Sequence, residues 1–121
     1  MIQTIRRPLQ NGLIFIEDIK GGEPPYPVTD EKVQFSASCI SVACLHEIDG
    51  EAELILGPAD EVAQTYDLSF DGLLETPSRE LKVSAVTGEP LLNARVPNVG
   101  TRVRIWRSHP DWPDQVVVGL G

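Results

Sequence analysis

Residues 33–57 read VQFSASCISVACLHEIDGEAELILG, and this stretch decides the fold. A long apolar run precedes Asp49-Gly50, and a second run, in which apolar and polar residues alternate, follows it. Asp-Gly readily adopts the positive φ angles of a two-residue hairpin turn, and such a turn between two apolar runs is typical of a β-hairpin. The stretch therefore predicts two antiparallel strands joined at Asp49-Gly50.

The first arm of this predicted hairpin, residues 33–46, changes the parity of its apolar positions. Val33 and Phe35 share one parity, whereas Ile40 and Val42 share the other. A single strand with such a change needs a bulge or a bend, because successive side chains point to opposite faces. A helix is the alternative, but Ser, Cys, Val, Ile and Phe are weak helix formers and a hairpin turn follows, so we favour a strand.

The two cysteines, Cys39 and Cys44, both lie on this predicted first arm. Five residues of strand place them about 16 Å apart, whereas a disulfide needs Cα atoms within about 7 Å of each other. We therefore expect both thiols to be reduced, and both side chains to be buried as small apolar residues.

Short alternating runs separated by turn residues continue along the rest of the chain. Eight strands are predicted, at residues 13–19, 33–46, 51–56, 65–70, 80–85, 92–96, 102–107 and 115–120. Ten Gly and ten Pro favour turns over helices; Asp71-Gly72 is predicted as a turn, and residues 58–63 as at most one short helical turn. The pattern predicts one all-β domain, residues 1–121, folded as an antiparallel β-sandwich or a partly open barrel.

One long loop interrupts this regular spacing of strands. Residues 20–31, KGGEPPYPVTDE, contain two Gly and three Pro, and Pro cannot join the ladder of a central strand. A stiff surface crossover between the two sheets is the favoured interpretation, and a proline-rich docking segment at residues 24–27 is the alternative.

Motifs of common enzyme and cofactor sites are absent from the sequence: it has no Walker loop, GxGxxG, GxSxG, CxxC or HExxH. We expect a non-enzymatic protein without a metal or cofactor. The densest set of potential metal ligands is His46, Glu47, Asp49, Glu51 and Glu53, but its spacing fits no EF-hand loop and favours a solvated turn. Without a signal peptide core or an apolar run of about 18 residues, a cytoplasmic location without membrane contact is expected.

Charge is distributed unevenly along this chain of net charge −8. Residues 33–78 contain no Lys or Arg and nine acids, whereas residues 91–121 contain four Arg and two Asp. An acidic surface can steer a basic protein partner, and it disfavours direct binding of nucleic acid. We therefore predict a partner-binding site at Glu47, Asp49, Glu51 and Glu53. The alternative is that the acidic and basic regions neutralise each other across neighbouring strands.

A second set of candidate residues lies near the C-terminus: Arg102, Arg104, Trp106 and Trp112. The first three share one face of a predicted strand, and Arg stacked on an exposed Trp is common at interfaces and sugar sites. These residues support an alternative function, the binding of a small ligand or carbohydrate. They also fit a structural role in which a Trp covers the sandwich.

Within residues 66–106, the segments YDLSFDG, ELKVSAV and LLNARVPNVGTRVRIW resemble the C-terminal half of the competence protein J family of bacterial nuclease inhibitors. The resemblance covers about a third of the chain. It implies a small acidic β-sandwich that binds and blocks another protein, typically a nuclease, and it brings no catalytic residues. Together with the charge distribution, it favours an inhibitor or immunity-type module for a basic partner.

Overall fold

Ten strands, several of them with alternating apolar and polar residues, form two five-stranded sheets in a computed structural model covering residues 1–121. The strands are β1 (Gln3–Arg7), β2 (Leu13–Asp18), β3 (Val33–Phe35), β4 (Cys39–Ala43), β5 (Ala52–Pro58), β6 (Asp67–Glu75), β7 (Glu80–Ala85), β8 (Pro90–Arg95), β9 (Gly100–Arg107) and β10 (Gln115–Leu120). Two single 3-10 turns, Gln10–Gly12 and Glu47–Asp49, are the helical elements. The predicted all-β fold is confirmed, with ten strands in place of eight.

The first sheet has the order β1-β5-β10-β9-β6, and the second has the order β3-β4-β2-β7-β8. Every strand pair is antiparallel except β5 with β10, which run parallel with Glu53 opposite Gln115. No strand pairs with both sheets, so the protein is the predicted sandwich and not the partly open barrel. The inner faces bury one apolar cluster, which includes Leu54 and Leu56 from β5 and Ile14 and Ile16 from β2.

The predicted hairpin at Asp49-Gly50 is wrong, because β4 and β5 belong to different sheets. Residues 44–51 cross from one sheet to the other, and Asp49 ends the 3-10 turn inside that crossing. Gly50 has φ 136°, so the glycine is used for the sharp exit from the 3-10 turn and not for a two-residue hairpin. Turn residues predicted that the chain bends here, but they could not predict which strands would pair.

Residues 33–46 form two strands and not the single predicted one. β3 and β4 pair antiparallel, with Val33 opposite Val42 and Phe35 opposite Ile40, and Ser36 N donates to Cys39 O at 2.8 Å in the turn. This hairpin explains the change of parity without a bulge in a continuous strand.

The predicted turn at Asp71-Gly72 is also wrong, because β6 runs straight through both residues. The irregularity in β6 is a bulge between Leu68 and Phe70. A Cβ on Gly72 would lie 2.9 Å from the Phe70 ring, so the glycine makes room for that ring inside a strand.

Two further differences concern an edge strand and a connection, whereas the short helical turn predicted at residues 58–63 is confirmed. β1 was not predicted, because its sequence QTIRR contains only one apolar residue. The segment after β5 is a single hydrogen-bonded turn, in which Val62 N donates to Pro58 O at 3.2 Å. The loop at residues 20–31 joins β2 to β3 within one sheet, so the predicted crossover between sheets is wrong.

None of the helical elements is long and apolar enough to span a membrane.

Cys39 and Cys44 are both unpaired and buried, as predicted. Burial raises the pKa of each thiol to about 12, so the reactive thiolate is scarce at neutral pH. We expect a thiol reagent such as DTNB at pH 8 to leave both cysteines unmodified over an hour in the folded protein. Two equivalents should react at once in denaturant, and rapid labelling without denaturant would contradict the burial of the thiols.

Candidate functional site

The 3-10 turn at Glu47–Asp49 lies at one end of the sandwich, where the chain crosses between the sheets. His46 Nδ1 accepts a hydrogen bond from Ile48 N at 3.1 Å and so caps the turn. Backbone bonds fix its base: Leu45 N donates to Pro113 O at 2.9 Å, and Glu47 N donates to Leu9 O at 3.1 Å. The turn is therefore held in one place relative to the body of the protein.

Three of the four predicted partner-binding acids lie on or beside this turn. Glu47, Asp49 and Glu51 are exposed, and none of them forms an ion pair. Ile48 lies between them with 84% of its surface exposed. Water solvates the apolar centre of this surface poorly, and the unpaired carboxylates around it attract a basic partner.

Glu53, the fourth predicted acid, has a different environment. Its side chain is largely buried on the outer face of the first sheet, with Oε2 3.7 Å from Arg6 Nη2. Gln115 Nε2 donates to its other carboxylate oxygen, and Tyr66 Oη donates to Gln115 Oε1. This carboxylate is engaged within the fold, and the structure separates it from the exposed acids.

A second loop, residues 108–114, brings two more acids to the same end of the sandwich. Glu53 N donates to Asp114 O at 2.7 Å, so this loop lies directly beside the start of β5. Ser108 Oγ donates to Asp114 Oδ1 at 2.9 Å, and His109 Nδ1 accepts from Asp111 N at 3.1 Å. The exposed acids of the two loops define what we call the acidic end: Glu47, Asp49, Glu51, Asp111 and Asp114.

Internal neutralisation, the alternative for the acidic residues, applies to Glu53 and to Asp71. Arg102 Nε and Nη2 donate to the two carboxylate oxygens of Asp71 at 2.9 and 2.7 Å. These hydrogen bonds hold the pKa of Asp71 below its usual value. The pairing follows from the position of β6 beside β9. Arg6 and Arg7 of β1 lie opposite Glu53 and Ala52, close to the turn at residues 47–49, but they pair with Glu53 and Glu89 and not with the exposed acids of the turn.

Of the four residues of the alternative ligand site, Arg102, Arg104 and Trp106 share the outer face of β9, with Arg104 Cζ 5.8 Å from the Trp106 ring centroid, whereas Trp112 lies in the 108–114 loop. Trp106 is only 4% exposed, because residues 59–66 fold over it and bury it with Val62 and Val117. Trp112 is 55% exposed in the 108–114 loop, with Lys32 Nζ 4.3 Å from its ring centroid. Of the arginines, Arg102 binds Asp71, and Arg104 Nη2 donates to Gly121 O at 3.0 Å.

Two features of the acidic end are not evident from the sequence. Asp111 and Asp114 belong to the acidic end because β5 and β10 pair in parallel, which brings together residues that are far apart in the chain. The exposure of Ile48 arises from the 3-10 turn, whereas a hairpin would have placed it on a strand. The structure brings no three His, Cys, Asp or Glu side chains together in a way that could hold a metal ion.

The fold is shared with solved structures of other proteins. The crystal structure of ComJ, inhibitor of the DNA degrading activity of NucA, from Bacillus subtilis, aligns with a TM-score of 0.72 and 10% identity, covering 99% of this chain and 97% of that one. The structure of crocagin biosynthetic gene J aligns with a TM-score of 0.56 and 12% identity, covering 99% and 96%. No family model and no curated protein matches the sequence. The sandwich implied by the resemblance of residues 66–106 is therefore confirmed at the level of fold.

Proposed function

We propose that this protein binds a basic protein through its acidic end and inhibits it, and that the partner is a nuclease. The observation that carries the proposal is the exposed Ile48 among Glu47, Asp49 and Glu51, three carboxylates without an internal partner. The shared fold with ComJ, an inhibitor of a DNA-degrading protein, supports the choice of nuclease.

The acidic end suits a nuclease because nuclease surfaces that hold DNA are basic. A cluster of carboxylates carries the same negative charge as the phosphates of DNA and is therefore attracted to the same basic surface. Long-range attraction between opposite charges raises the association rate by about 10- to 1000-fold at low salt. Ile48 then supplies apolar contact area at the centre of the interface, where a bound complex excludes water.

Rigidity of the turn favours binding without a conformational change. His46 and the backbone bonds to Leu9 and Pro113 hold the turn before the partner arrives. Ordering a loop on binding costs free energy, so a preorganised turn retains more of its contact energy as affinity. The placement of the acids on short, anchored turns therefore supports the same proposal.

The test measures DNA degradation by an extract of the cells that naturally express this protein, as further purified protein is added. We expect the wild type to slow degradation in the extract. The variant Glu47→Gln/Asp49→Asn/Glu51→Gln should need about tenfold more protein for the same effect, because electrostatic steering is weakened. Inhibition by this variant should also depend less on salt between 50 and 300 mM NaCl, because salt screens the long-range attraction that the three removed charges provide.

A matched control is the variant Glu23→Gln/Asp30→Asn/Glu31→Gln. It changes the net charge by the same amount, at exposed acids of the 20–31 loop that form no ion pair. We expect it to inhibit almost as well as the wild type. Equal losses in the two variants would reject the acidic end as the interface, and unchanged DNA degradation with the wild type would reject nuclease inhibition.

A further inference from the structure

The strand edges of the two sheets differ in how they are protected. β1, β6, β3 and β8 are the four edge strands. β3 is only three residues long; β8 begins with Pro90, and its Asn93 O accepts a hydrogen bond from Gln3 Nε2 at 2.6 Å. β1 carries two arginines. Short strands, prolines and basic side chains are the usual protection against unwanted pairing, and these three edges have them.

β6 is an edge strand of nine residues, DLSFDGLLE, with no Lys, Arg or Pro. It pairs with β9 on one side and with no strand on the other. A long unprotected edge presents unpaired N–H and C=O groups to solvent and can accept a further strand.

The register identifies which backbone groups face the open side of β6. Alternate residues of an antiparallel strand direct their backbone groups to the same neighbour. Arg102 O accepts from Gly121 N at 2.9 Å, so the backbone N–H and C=O of Arg102 point to β10. Leu73 is the partner of Arg102 in register, and its backbone N–H and C=O therefore point away from β9. The same alternation directs the N–H and C=O of Asp71 to the open side.

One end of this edge is already closed by the second sheet. Glu75 N donates to Ala37 O at 2.9 Å, and Ala37 lies in the turn between β3 and β4. The available edge therefore extends from the bulge at residues 68–70 to Leu73. It begins next to the acidic end, because Asp67 pairs with Arg107, the last residue of β9 before the 108–114 loop.

Apolar side chains flank the open edge on both of its faces. Leu73 is 72% exposed and Phe35 is 64% exposed, and Leu68 is also exposed. The rings of Phe35 and Phe70 meet edge to face with centroids 5.1 Å apart. An added strand would cover these side chains as well as satisfy the open backbone groups.

Charge identifies the kind of strand that fits. Asp67 and Glu75, at the two ends of β6, form no ion pair, whereas Asp71 is paired with Arg102. A second copy of this chain, added antiparallel about a two-fold axis at Asp71 in the middle of β6, would bring Asp67 of one copy towards Glu75 of the other, and like charges opposite each other destabilise a sheet. A strand with basic residues at both ends would instead be attracted.

We infer that β6 receives an extended segment of a basic partner protein, with an apolar centre and a basic residue near each end, as an added sixth strand of the first sheet. The inference rests on the proposed function only in taking a basic protein as the partner. It adds a second contact surface, in which backbone hydrogen bonds hold a segment alongside the acidic end.

The test uses the synthetic peptide acetyl-KTVTVTVK-amide and amide hydrogen exchange measured by NMR. We expect saturating peptide to slow exchange of the Leu73 and Asp71 amides by at least tenfold. The Leu74 amide, which already bonds to β9, should change little. The matched peptide acetyl-ETVTVTVE-amide should leave all three amides unchanged. Equal protection by both peptides, or none by the basic peptide, would overturn the inference.

Two variants separate the backbone contact from side-chain contact. Leu73→Pro removes an N–H that faces away from β9, so binding of the basic peptide should fall at least tenfold with the β9 ladder intact. Leu73→Ala keeps the N–H and should retain protection at Asp71. Thermal melts verify that both variants fold, and the wild-type exchange result stands without them. Loss of binding in Leu73→Ala alone would indicate side-chain docking and overturn strand addition.

Sedimentation velocity distinguishes a foreign segment from a second copy. We expect a monomer at all accessible concentrations without peptide. A dimer that protects Leu73 and Asp71 would assign the edge to self-association and overturn the inference. Because the peptide experiment contains no nuclease, peptide binding with unchanged DNA degradation would reject the inhibitor proposal alone, and inhibition without peptide binding would reject the edge inference alone.

Discussion

Replacing Trp106 with Ala should lower the free energy of unfolding by about 3–5 kcal/mol, because the change removes a large buried ring and leaves a cavity behind. Trp106 is 4% exposed, and its ring lies so close to the backbone of β10 that a Cβ on Gly119 would be 2.8 Å from it. The ring also holds residues 59–66 against the outer face of the first sheet, through Val62. Urea denaturation followed by far-UV circular dichroism measures the loss.

Trp112→Ala is the matched control for this variant. Trp112 is more than half exposed in the 108–114 loop, so we expect its removal to change the free energy of unfolding by less than about 1 kcal/mol. Similar losses in the two variants would contradict the different roles of the two rings. A Trp106→Ala protein with wild-type stability would show that the ring contributes no packing and reopen its role in ligand binding.

Period-two alternation carried most of the correct sequence prediction. Strands β5, β7, β8 and β9 each place one apolar face on a single core, so their sequences alternate and their positions were predicted. β2 and β10 were predicted from short apolar runs, LIFI and VVV, bounded by turn residues. β1 departs from this pattern because an edge strand needs few apolar residues. The continuity of β6 was missed because Asp-Gly is typical of a turn. The sequence around Gly72 does not reveal that this glycine instead makes room for the Phe70 ring inside a strand.

Pairing between distant residues was beyond the sequence prediction. Asp49-Gly50 indicates a bend equally well in a hairpin and in a crossing between sheets, and the choice depends on where Leu9 and Pro113 can accept backbone hydrogen bonds. The candidate site was affected in the same way. Glu51 and Glu53 share one parity in the sequence. In the structure, Arg6 and Gln115 bind the carboxylate of Glu53, whereas the carboxylate of Glu51 is exposed.

Asp18→Ala should be the second strongly destabilising change, with an expected loss of about 2–4 kcal/mol. Asp18 is 1% exposed at the end of β2, and its carboxylate accepts hydrogen bonds from Lys20 N at 3.0 Å and from Ser78 N at 2.9 Å. A hydrogen bond to a charged group contributes about 1.5–3 kcal/mol, and the alanine removes two such bonds, both partly buried. The exposed, unpaired Asp30→Ala is the control, with an expected change of at most about 0.5 kcal/mol.

The same carboxylate gives the stability a dependence on pH whose sign follows from its pKa. Burial alone would raise the pKa of Asp18, but the hydrogen bonds from Ser78 and Lys20 outweigh it and lower the pKa below the usual 3.8. A lowered pKa contributes stability above the unfolded-state value of about 3.9, and that contribution is lost as pH falls through the folded-state value. Between pH 6 and pH 3, urea denaturation should therefore show the advantage of the wild type over Asp18→Asn decreasing. An advantage that stays constant or grows over this range would mean that the charged carboxylate does not join the end of β2 to the turn at Ser78.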